Sequence, residues 1–406
     1  METNYFKILL QRKFLVILIF GFCSGLPLAL ITSVLQTWFS ASGVDLKLIG
    51  MVSLVTQPYV YKMLWAPLLD RYKIPFTDRR LGWIILLMFC LLISLSFVGL
   101  HDPIKEPYTI MRLCFIVAIF SASLDIVIDA YKIEVTNEKE RGMAGSLGVE
   151  GYRFAMLLSG SVTLIVAQYY GFKYAYIGSA SLYVIGILTA IFVAPQTGVL
   201  VYSRSIVDSF ISPLKDLVKK EYIILLLLFA ISYKSADALA LALNSHFFKT
   251  VLNLSLTEIA FYNKTIGLAS SLLGVFFGGL ILIRFSLFNC LMFFGILQAA
   301  TNLLWLLLIY FPSVKLLISC VVAIEYLCGG IGTAAFVTFL MKMCNKEFSG
   351  SQYAILSAIT AMPRTYFGPL ASYLVESYGW ETYYLSSFVI GIPTILFLIM
   401  IRKFFN

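Results

Sequence analysis

The feature that most constrains the fold of this chain is its series of apolar runs, each about 20 residues or longer. Hydrophobic residues make up 60% of the sequence and charged residues 13%, against about 25% charged residues in a soluble domain. Such a chain needs a lipid bilayer as its main solvent, and only helices or closed barrels can span one. Runs of this length fit helices rather than the short strands of a barrel, and they predict an all-α membrane protein.

Twelve spans are predicted, separated by short polar connections. They cover residues 14–40, 47–69, 82–100, 108–132, 142–168, 174–194, 222–248, 258–283, 287–310, 314–342, 350–376 and 382–402. The longest connection follows the sixth span and divides the spans into two sets of six. The predicted domains are therefore an N-terminal bundle (1–194), a linker (195–221) and a C-terminal bundle (222–406).

An internal repeat indicates that the two sets of spans are related. Tyr-Gly-Phe at 170–172 is followed by Tyr176, between the fifth and sixth spans. Tyr-Gly-Trp at 378–380 is followed by Tyr384, between the eleventh and twelfth spans. Paired halves of this kind are typical of transporters that bind their cargo between two repeats.

The basic residues predict the orientation of the chain in the membrane. Nineteen of the 30 lie on the side of the N-terminus and five on the opposite side, and the others lie in or near the spans. Because basic loops stay in the cytoplasm, both termini are predicted to be cytoplasmic. The net charge of +9 is explained in the same way, and no basic block with interleaved aromatic residues indicates nucleic-acid binding.

Neither a metal site nor a cofactor is predicted. The seven cysteines lie in or at the ends of apolar runs without a C-x-x-C pair, and the sequence has only two histidines, so the usual metal ligands are missing. No phosphate-binding loop of the G-x-x-x-x-G-K-[ST] type is present. A membrane enzyme would need a clustered nucleophile and base, and none stands out, so we expect a protein that is not an enzyme.

Charged residues inside the apolar runs are the main candidates for function, because they are costly in lipid and usually face a cavity or a partner. Asp125 and Asp129 lie four residues apart in the fourth span, which places them on one helix face. Either carboxylate could carry a proton and couple its entry to a conformational change. Alternatively, the two pair with Lys62 and Arg153 and hold the second, fourth and fifth spans together.

The second half carries its own charged candidates. Lys234 and Asp237 lie three residues apart in the seventh span and can neutralise each other. Glu325 in the tenth span has no obvious local partner, which makes it another proton-carrying candidate. Arg153 and Arg364 occupy matching places in the two halves, and a guanidinium suits a carboxylate or phosphate of the substrate. The alternative for the arginines is an internal salt bridge to Asp129 or Glu325.

Polar and aromatic residues of the first and second spans complete the candidate substrate site. Gln57, Tyr61 and Lys62 surround Pro58 in the second span, and Gln36 lies in the first. Such side chains suit a sugar-like or peptide-like ligand, although packing alone can explain each of them.

Two glycine motifs have a structural interpretation. Gly274 and Gly278 lie four residues apart, and a second group lies at 329, 330 and 332. No predicted strand precedes the second group, so it is not a dinucleotide-binding fingerprint. Both motifs are predicted to let helices approach closely.

Several blocks of sequence carry a resemblance to a known family. They are GFCSGLPL (21–28), LQTW (35–38), LWAPLLDRY (64–72), RRLGW (79–83), SASLDIVIDA (121–130), ERG (140–142), GYR (151–153), GGIGTAAF (329–336), CNK (344–346) and QYAILSA (352–358). The chain resembles the AmpG-type permeases, the muropeptide carriers of bacterial inner membranes within the major facilitator superfamily. The resemblance is strongest in spans one to five and ten to eleven.

The resemblance implies a twelve-helix major facilitator fold, a monomer surrounded by membrane lipids, and proton-driven import. The cargo would be an anhydro-muropeptide, GlcNAc-anhydroMurNAc with or without its peptide, moved from periplasm to cytoplasm for peptidoglycan recycling. Alternating access would rock one half against the other. Spans three, six, nine and twelve face lipid in this fold, and in this chain they carry no internal charge.

The resemblance also implies roles for single residues. Arg153, Arg364, Lys62 and Gln36 are apt for peptide carboxylates and sugar hydroxyls. The remaining candidates for substrate binding are Gln57, Tyr61, Tyr152, Lys234 and Asp237. The loop with Asp70, Arg71, Arg79 and Arg80 would act as a cytoplasmic gate, and it also fits a plain topology signal.

One departure puts the cargo in question. Family members often carry glutamine just before the residue that matches Asp125, and this chain has Leu124 there. If that glutamine contacts the sugar, this chain has lost the contact. The alternative cargo is another anionic molecule, such as an acyl-CoA or a nucleotide-linked compound.

Overall fold

A computed structural model describes residues 11–75, 78–136, 141–196, 214–344 and 349–405. Throughout these ranges the regular structure is helical. Contacts between residues divide the chain into two compact units, which are treated separately below. The first contains Met1–Val44 and Val55–Tyr202, and the second contains Asp45–Leu54 and Ser203–Asn406. Part of the predicted linker, residues 197–213, lies outside the described residues.

The helices of the first unit follow the predicted spans closely. They are α1 (Arg12–Ala29), α2 (Leu35–Ala41), α4 (Gln57–Tyr61), α5 (Ala66–Arg71), α6 (Arg79–Leu100), α7 (Pro107–Val135), α8 (Arg141–Tyr170), α9 (Phe172–Ser181) and α10 (Tyr183–Leu188), with α3 (Leu46–Met51) assigned to the second unit. A π-helical turn, Leu30–Val34, joins α1 to α2, and another, Thr189–Val193, extends α10.

In the part of the second unit that the structure describes, a short helical segment at 214–218 is followed by further helices. They are α11 (Ile223–Ala240), α12 (Asn244–Thr250), α13 (Leu256–Ile259), α14 (Gly267–Arg284), α15 (Leu287–Thr301), α16 (Leu304–Tyr310), α17 (Lys315–Met343), α18 (Ser349–Val389) and α19 (Ile392–Met400). A π-helical turn, Ala260–Ile266, joins α13 to α14. The core of this unit lies between α11, α15, α17 and α19, where Phe229, Phe294, Phe339 and Leu398 are buried.

Among the described residues, ten continuous helical stretches are long and apolar enough to cross a membrane. Two observations account for the difference from the twelve predicted spans. The predicted second span is divided into α3, α4 and α5 by short 3₁₀ turns. The last stretch, Ile355–Met400, contains both the eleventh and the twelfth predicted spans. The two spans are separated by Gly379, whose φ of +81° interrupts the helix.

The internal repeat seen in the sequence has a shared backbone conformation. Gly171 lies between α8 and α9 with φ +86° and ψ 160°, and Gly379 has φ +81° and ψ 173°. Only glycine adopts such angles readily. In each repeat a tyrosine hydroxyl also donates a hydrogen bond to a backbone carbonyl oxygen. Tyr176 donates to Leu30 in the first predicted span, and Tyr383 donates to Leu239 in the seventh. The donor in the second half is thus one residue before Tyr384, the predicted match.

Glycines bring the helices of the first unit into close contact. A Cβ on Gly21 would overlap the backbone of Gly148, and one on Gly25 would overlap the backbone of Tyr152. Small residues four apart let α1 and α8 approach until their backbones touch, as membrane helices often do.

The predicted close approach at the glycine motifs of the second unit is confirmed. A Cβ on Gly274 would overlap the carbonyl oxygen of Leu327, and one on Gly278 would lie 2.8 Å from the carbonyl oxygen of Ile331. Gly330 in turn contacts the backbone of α14 at Gly274. α14 and α17 therefore pack backbone to backbone.

Replacing Gly274 with leucine is expected to lower the free energy of unfolding by about 3 kcal/mol, because the new side chain meets backbone rather than a movable side chain. Gly279 on the same helix is exposed, and a Cβ added there would have no atom within 4 Å. Gly279→Leu therefore serves as the matched control and should be neutral or slightly stabilising. Thermal unfolding of both variants in detergent micelles measures the difference, and equal melting temperatures would contradict the packing argument.

Residues 45–54 pack in the second unit against α18. Gly50 contacts Gly368, and the hydroxyl of Ser53 donates to the carbonyl oxygen of Thr365 at 2.7 Å. At the exposed end of this segment Lys47 lies 3.5 Å from Glu376. The start of the predicted second span is thus held by α18 and ends at the 3₁₀ turn Val52–Thr56.

Candidate functional site

The first unit contains a polar cluster around Asp125 on α7. The Asp125 side chain is 12% exposed. It accepts a hydrogen bond from the Ser24 hydroxyl on α1, and Lys62 Nζ lies 3.5 Å from its second oxygen. Lys62 occupies the 3₁₀ turn between α4 and α5. The predicted pairing of Asp125 with Lys62 is therefore present, and it links three segments that are far apart in the chain.

Aromatic residues of the second span surround this cluster. The Tyr59 hydroxyl is buried without a hydrogen bond and lies within electrostatic range of Asp125 and Tyr152. Trp65 Nε1 donates to the Ser123 hydroxyl at 2.9 Å, which fixes α5 against α7. The interrupted second span thus presents its polar side chains to α7.

Asp129 differs from Asp125 in its surroundings. Its side chain is 63% exposed and forms an ion pair with Lys132 at 2.6 Å, three residues further along α7. The predicted alternative partner, Arg153, is exposed on α8 beside the exposed Glu150. The two aspartates share a helix face, as predicted, but one is enclosed and the other is open.

The other predicted residues of the first unit lie at different depths. Gln36 is buried on α2, Gln57 and Tyr152 are half-buried, and Tyr61 is exposed. Substrate binding by these residues stays a prediction.

The predicted gate residues divide into two groups. The side chains of Asp70 and Arg71 lie outside the described residues. Arg79 and Arg80 at the start of α6 both reach Glu134 near the end of α7, with nitrogen–oxygen distances of 2.7 and 2.8 Å. Arg80 is fully buried and Glu134 almost so. Within the first unit these arginines therefore join α6 to α7, and their role as a gate stays a prediction.

The second unit contains a second polar cluster, around α11 and α17. Lys234 Nζ donates to the Thr333 hydroxyl at 3.0 Å and lies 5.3 Å from the centre of the Phe336 ring. Asp237 accepts a hydrogen bond from the Gln298 amide on α15. Lys234 and Asp237 interact electrostatically, but each side chain turns to a different partner instead of forming the predicted local pair.

Glu325 on α17 is the most enclosed carboxyl group of this cluster. It is 2% exposed, and its Oε2 atom makes no hydrogen bond. It lies within interaction range of Asp237, Thr301 and Trp305. Asp237 also keeps one buried oxygen, Oδ1, without a hydrogen bond. Two carboxyl groups from different helices thus lie close together, each with one unsatisfied oxygen.

Arg364 on α18 lies beside the second cluster. It is exposed, and it is within electrostatic range of Lys234 and of the Tyr326 hydroxyl. The alternative in which Arg364 forms a salt bridge with Glu325 does not occur between these two described residues. Anion binding by the Arg364 guanidinium stays a prediction.

Several members of the two clusters were not predicted from the sequence. They are Ser24, Tyr59, Gln298 and Thr333. Gln298 belongs to the ninth span, which the family resemblance predicts to face lipid, yet Gln298 is 2% exposed and its amide donates to Asp237. Single uncharged polar residues in apolar helices are common, so the sequence carried no signal for them.

Comparison with known proteins identifies the family. The model of the Major Facilitator Superfamily matches residues 14–367. The anhydromuropeptide permease of Escherichia coli strain K12 is 38% identical over 404 residues, which cover 99% of this chain and 82% of that protein.

Solved structures agree with the fold. A D-xylose-proton symporter has a TM-score of 0.74 at 12% identity and covers 100% of this chain, with 98% of its own chain aligned. An inward-facing bacterial homologue of the human lysosomal transporter Spinster has a TM-score of 0.72 at 14% identity, with the same coverage of both chains. The chain therefore belongs to the Major Facilitator Superfamily, as a multi-pass membrane transporter and not an enzyme, and within it to the family of the anhydromuropeptide permeases.

Proposed function

We propose that this transporter imports anhydro-muropeptides, GlcNAc-anhydroMurNAc with or without the stem peptide, from the periplasm to the cytoplasm for peptidoglycan recycling. The observation that carries the proposal is the 38% identity to the anhydromuropeptide permease over 99% of the chain. The protein would lie in the bacterial inner membrane with both termini in the cytoplasm, since basic residues concentrate on that side.

Transport would proceed by alternating access of two six-helix bundles, residues 1–194 and 222–406, joined by the linker 195–221. Each bundle contributes one polar cluster. Arg153 and Arg364 are exposed and would bind anionic groups of the cargo, because a guanidinium pairs well with a carboxylate. Gln36, Gln57, Tyr61, Lys62 and Tyr152 would contribute from the first bundle, and Lys234 and Asp237 from the second.

Import would be driven by protons carried on a carboxyl group inside a membrane span. The candidates are Asp125, Asp129 and Glu325. Ionisable groups inside membrane spans commonly form proton relays in transporters. Of the three, Glu325 has no ion-pair partner among the described residues, whereas Asp125 faces Lys62 and Asp129 faces Lys132. These contacts favour Glu325 as the group whose protonation can change without breaking an ion pair.

Uptake into vesicles tests the function. Purified protein in liposomes should accumulate radiolabelled GlcNAc-anhydroMurNAc when the outside is more acidic, by about tenfold per pH unit for one proton per substrate. Empty liposomes and liposomes without a pH gradient are the controls. Uptake of an acyl-CoA or a nucleotide-linked sugar instead of the disaccharide would contradict the assigned cargo, and uptake that ignores the gradient would contradict proton coupling.

A further inference from the structure

A chain of hydrogen bonds joins three segments of the second unit. The Asn244 amide nitrogen donates to the Tyr326 hydroxyl at 3.3 Å, and that hydroxyl donates to Asn263 Oδ1 at 2.7 Å. Asn244 begins α12, Asn263 lies in the π-helical turn Ala260–Ile266, and Tyr326 lies on α17. The Tyr326 hydroxyl lies within electrostatic range of Glu325 and Arg364, so this chain of hydrogen bonds adjoins the second polar cluster.

The chain of hydrogen bonds is incomplete at Asn244. This residue is 4% exposed, and its Oδ1 atom is buried without a hydrogen bond. Exchanging the oxygen and nitrogen of the Asn244 amide would still leave one of its two atoms buried without a hydrogen bond. The single hydroxyl proton of Tyr326 already goes to Asn263, so Tyr326 can only accept from Asn244. A buried acceptor without a donor is unfavourable, and it marks a place where a ligand can supply one.

Irregular backbone surrounds the same place. The seventh predicted span is interrupted between Ala240, where α11 ends, and Asn244. The eighth contains the π-helical turn that carries Asn263. Broken helices inside a membrane are tolerated where they are buried in protein or line a cavity, and transporters build binding sites from them. π-Helical turns also occur often at functional sites.

The Tyr326 ring packs against Gly267, which has no side chain. A Cβ at Gly267 would lie 3.3 Å from three atoms of the Tyr326 ring, closer than such contacts normally allow. The ring is therefore held between the π-helical turn and α12, with its hydroxyl directed at both asparagines.

We propose that Asn244, Asn263 and Tyr326 form a subsite for the acetamido group of an amino sugar, with Asn244 Oδ1 accepting the amide N–H of the cargo. This assignment rests on the proposed function. An acetamido group carries one N–H donor and one carbonyl acceptor, which complements a side-chain amide. Sites that hydrogen-bond one substrate group reject analogues that lack it, because their buried polar atoms stay unpaired.

The test compares two cargoes in wild-type and variant proteoliposomes. The first is GlcNAc-anhydroMurNAc, and the second is the analogue with glucose in place of GlcNAc. The wild type should prefer the acetamido sugar, measured as the ratio of kcat/KM for uptake. Asn244→Leu keeps the size of the side chain without its amide and should reduce this preference about tenfold. Tyr326→Phe removes only the central hydroxyl and should have the same effect in the same direction.

Asn289→Leu is the control, since Asn289 is an exposed asparagine of the same unit outside the chain of hydrogen bonds. It should leave the preference unchanged. If Asn244→Leu does not fold, as judged by size-exclusion chromatography, the Tyr326→Phe result decides. Wild-type preference in that variant, or an equal loss for both sugars, would overturn the subsite while leaving the proposed function standing. A wild type that takes up neither sugar would overturn both.

Discussion

Replacing Glu325 with glutamine is expected to abolish accumulation of the disaccharide under a pH gradient while exchange of internal for external disaccharide continues. A carrier that moves one proton with each substrate accumulates it about tenfold per pH unit, because one unit corresponds to ~1.4 kcal/mol. Glutamine has the shape of the glutamic acid side chain but no proton to release. The variant should therefore equilibrate its cargo and not concentrate it.

The surroundings of Glu325 explain why the largest effect is expected there. The side chain is almost fully buried, one of its oxygens has no hydrogen bond, and Asp237 lies within interaction range. Glu325 has no lysine or arginine ion pair in the described part of the chain. Loading and unloading a proton would change the charge of this pair of carboxyl groups without breaking a salt bridge, so the change can act directly on the packing of α11 against α17.

Three further variants locate the proton. Asp125→Asn removes a carboxylate that already has Lys62 and Ser24 as partners, and Asp129→Asn removes one that is exposed and paired with Lys132. Both are expected to retain more gradient dependence than Glu325→Gln. Glu376→Gln, at an exposed residue of the same unit, should behave as the wild type. If gradient dependence is lost in Asp125→Asn or Asp129→Asn and kept in Glu325→Gln, the proton is carried in the first unit.

The positions of the membrane helices were predictable because bilayer thickness fixes their length. The long spans begin and end within a few residues of the expected positions, as α6 and α17 do. The glycine spacing was also informative. Gly274 and Gly278 lie on one helix face and have no side chain, which is typical of a close contact between membrane helices.

Interruptions of the helices were not predictable, because they depend on partners far along the chain. The break at residues 241–243 falls in a Leu-Ala-Leu sequence, which contains neither proline nor glycine. Two carbonyl oxygens beside this break, those of Leu239 and Ala240, accept from the Tyr383 hydroxyl. Likewise, the carbonyl oxygen of Leu30 at the π-helical turn of the first unit accepts from Tyr176. The irregular backbone is stabilised by a hydroxyl whose position only the folded chain defines.

Charge partners were predicted well only where the pairing is distant in sequence and few candidates exist. Residue spacing suggested that Lys234 would neutralise Asp237, yet Thr333 and Gln298 are their hydrogen-bond partners. By contrast, the Lys62–Asp125 pair was foreseen, because few charges lie inside the spans. Local spacing gives the helix face, and tertiary packing decides the contact.

Replacing Arg80 with methionine is expected to lower the free energy of unfolding by about 3–5 kcal/mol, the usual cost of removing one partner of a buried ion pair. Arg80 Nε and Nη2 lie 2.9 and 2.8 Å from the same oxygen of Glu134. Without Arg80, the nearly enclosed Glu134 carboxylate has Arg79 as its neighbour at 2.7 Å, and its Oε2 atom is already without a hydrogen bond. The carboxylate would stay buried with less compensation.

Combining Arg80→Met with Glu134→Leu should recover most of this loss, because an apolar pair of similar volume is often as stable as the buried ion pair it replaces. The single variants, the double variant and the wild type form a double-mutant cycle, measured by chemical denaturation in micelles. Arg79→Met, at a partly exposed guanidinium that binds the same oxygen, is the matched control and should cost about 1 kcal/mol or less. Additive effects of Arg80→Met and Glu134→Leu would show that the two residues act independently and that side-chain packing, not the ion pair, holds α6 to α7.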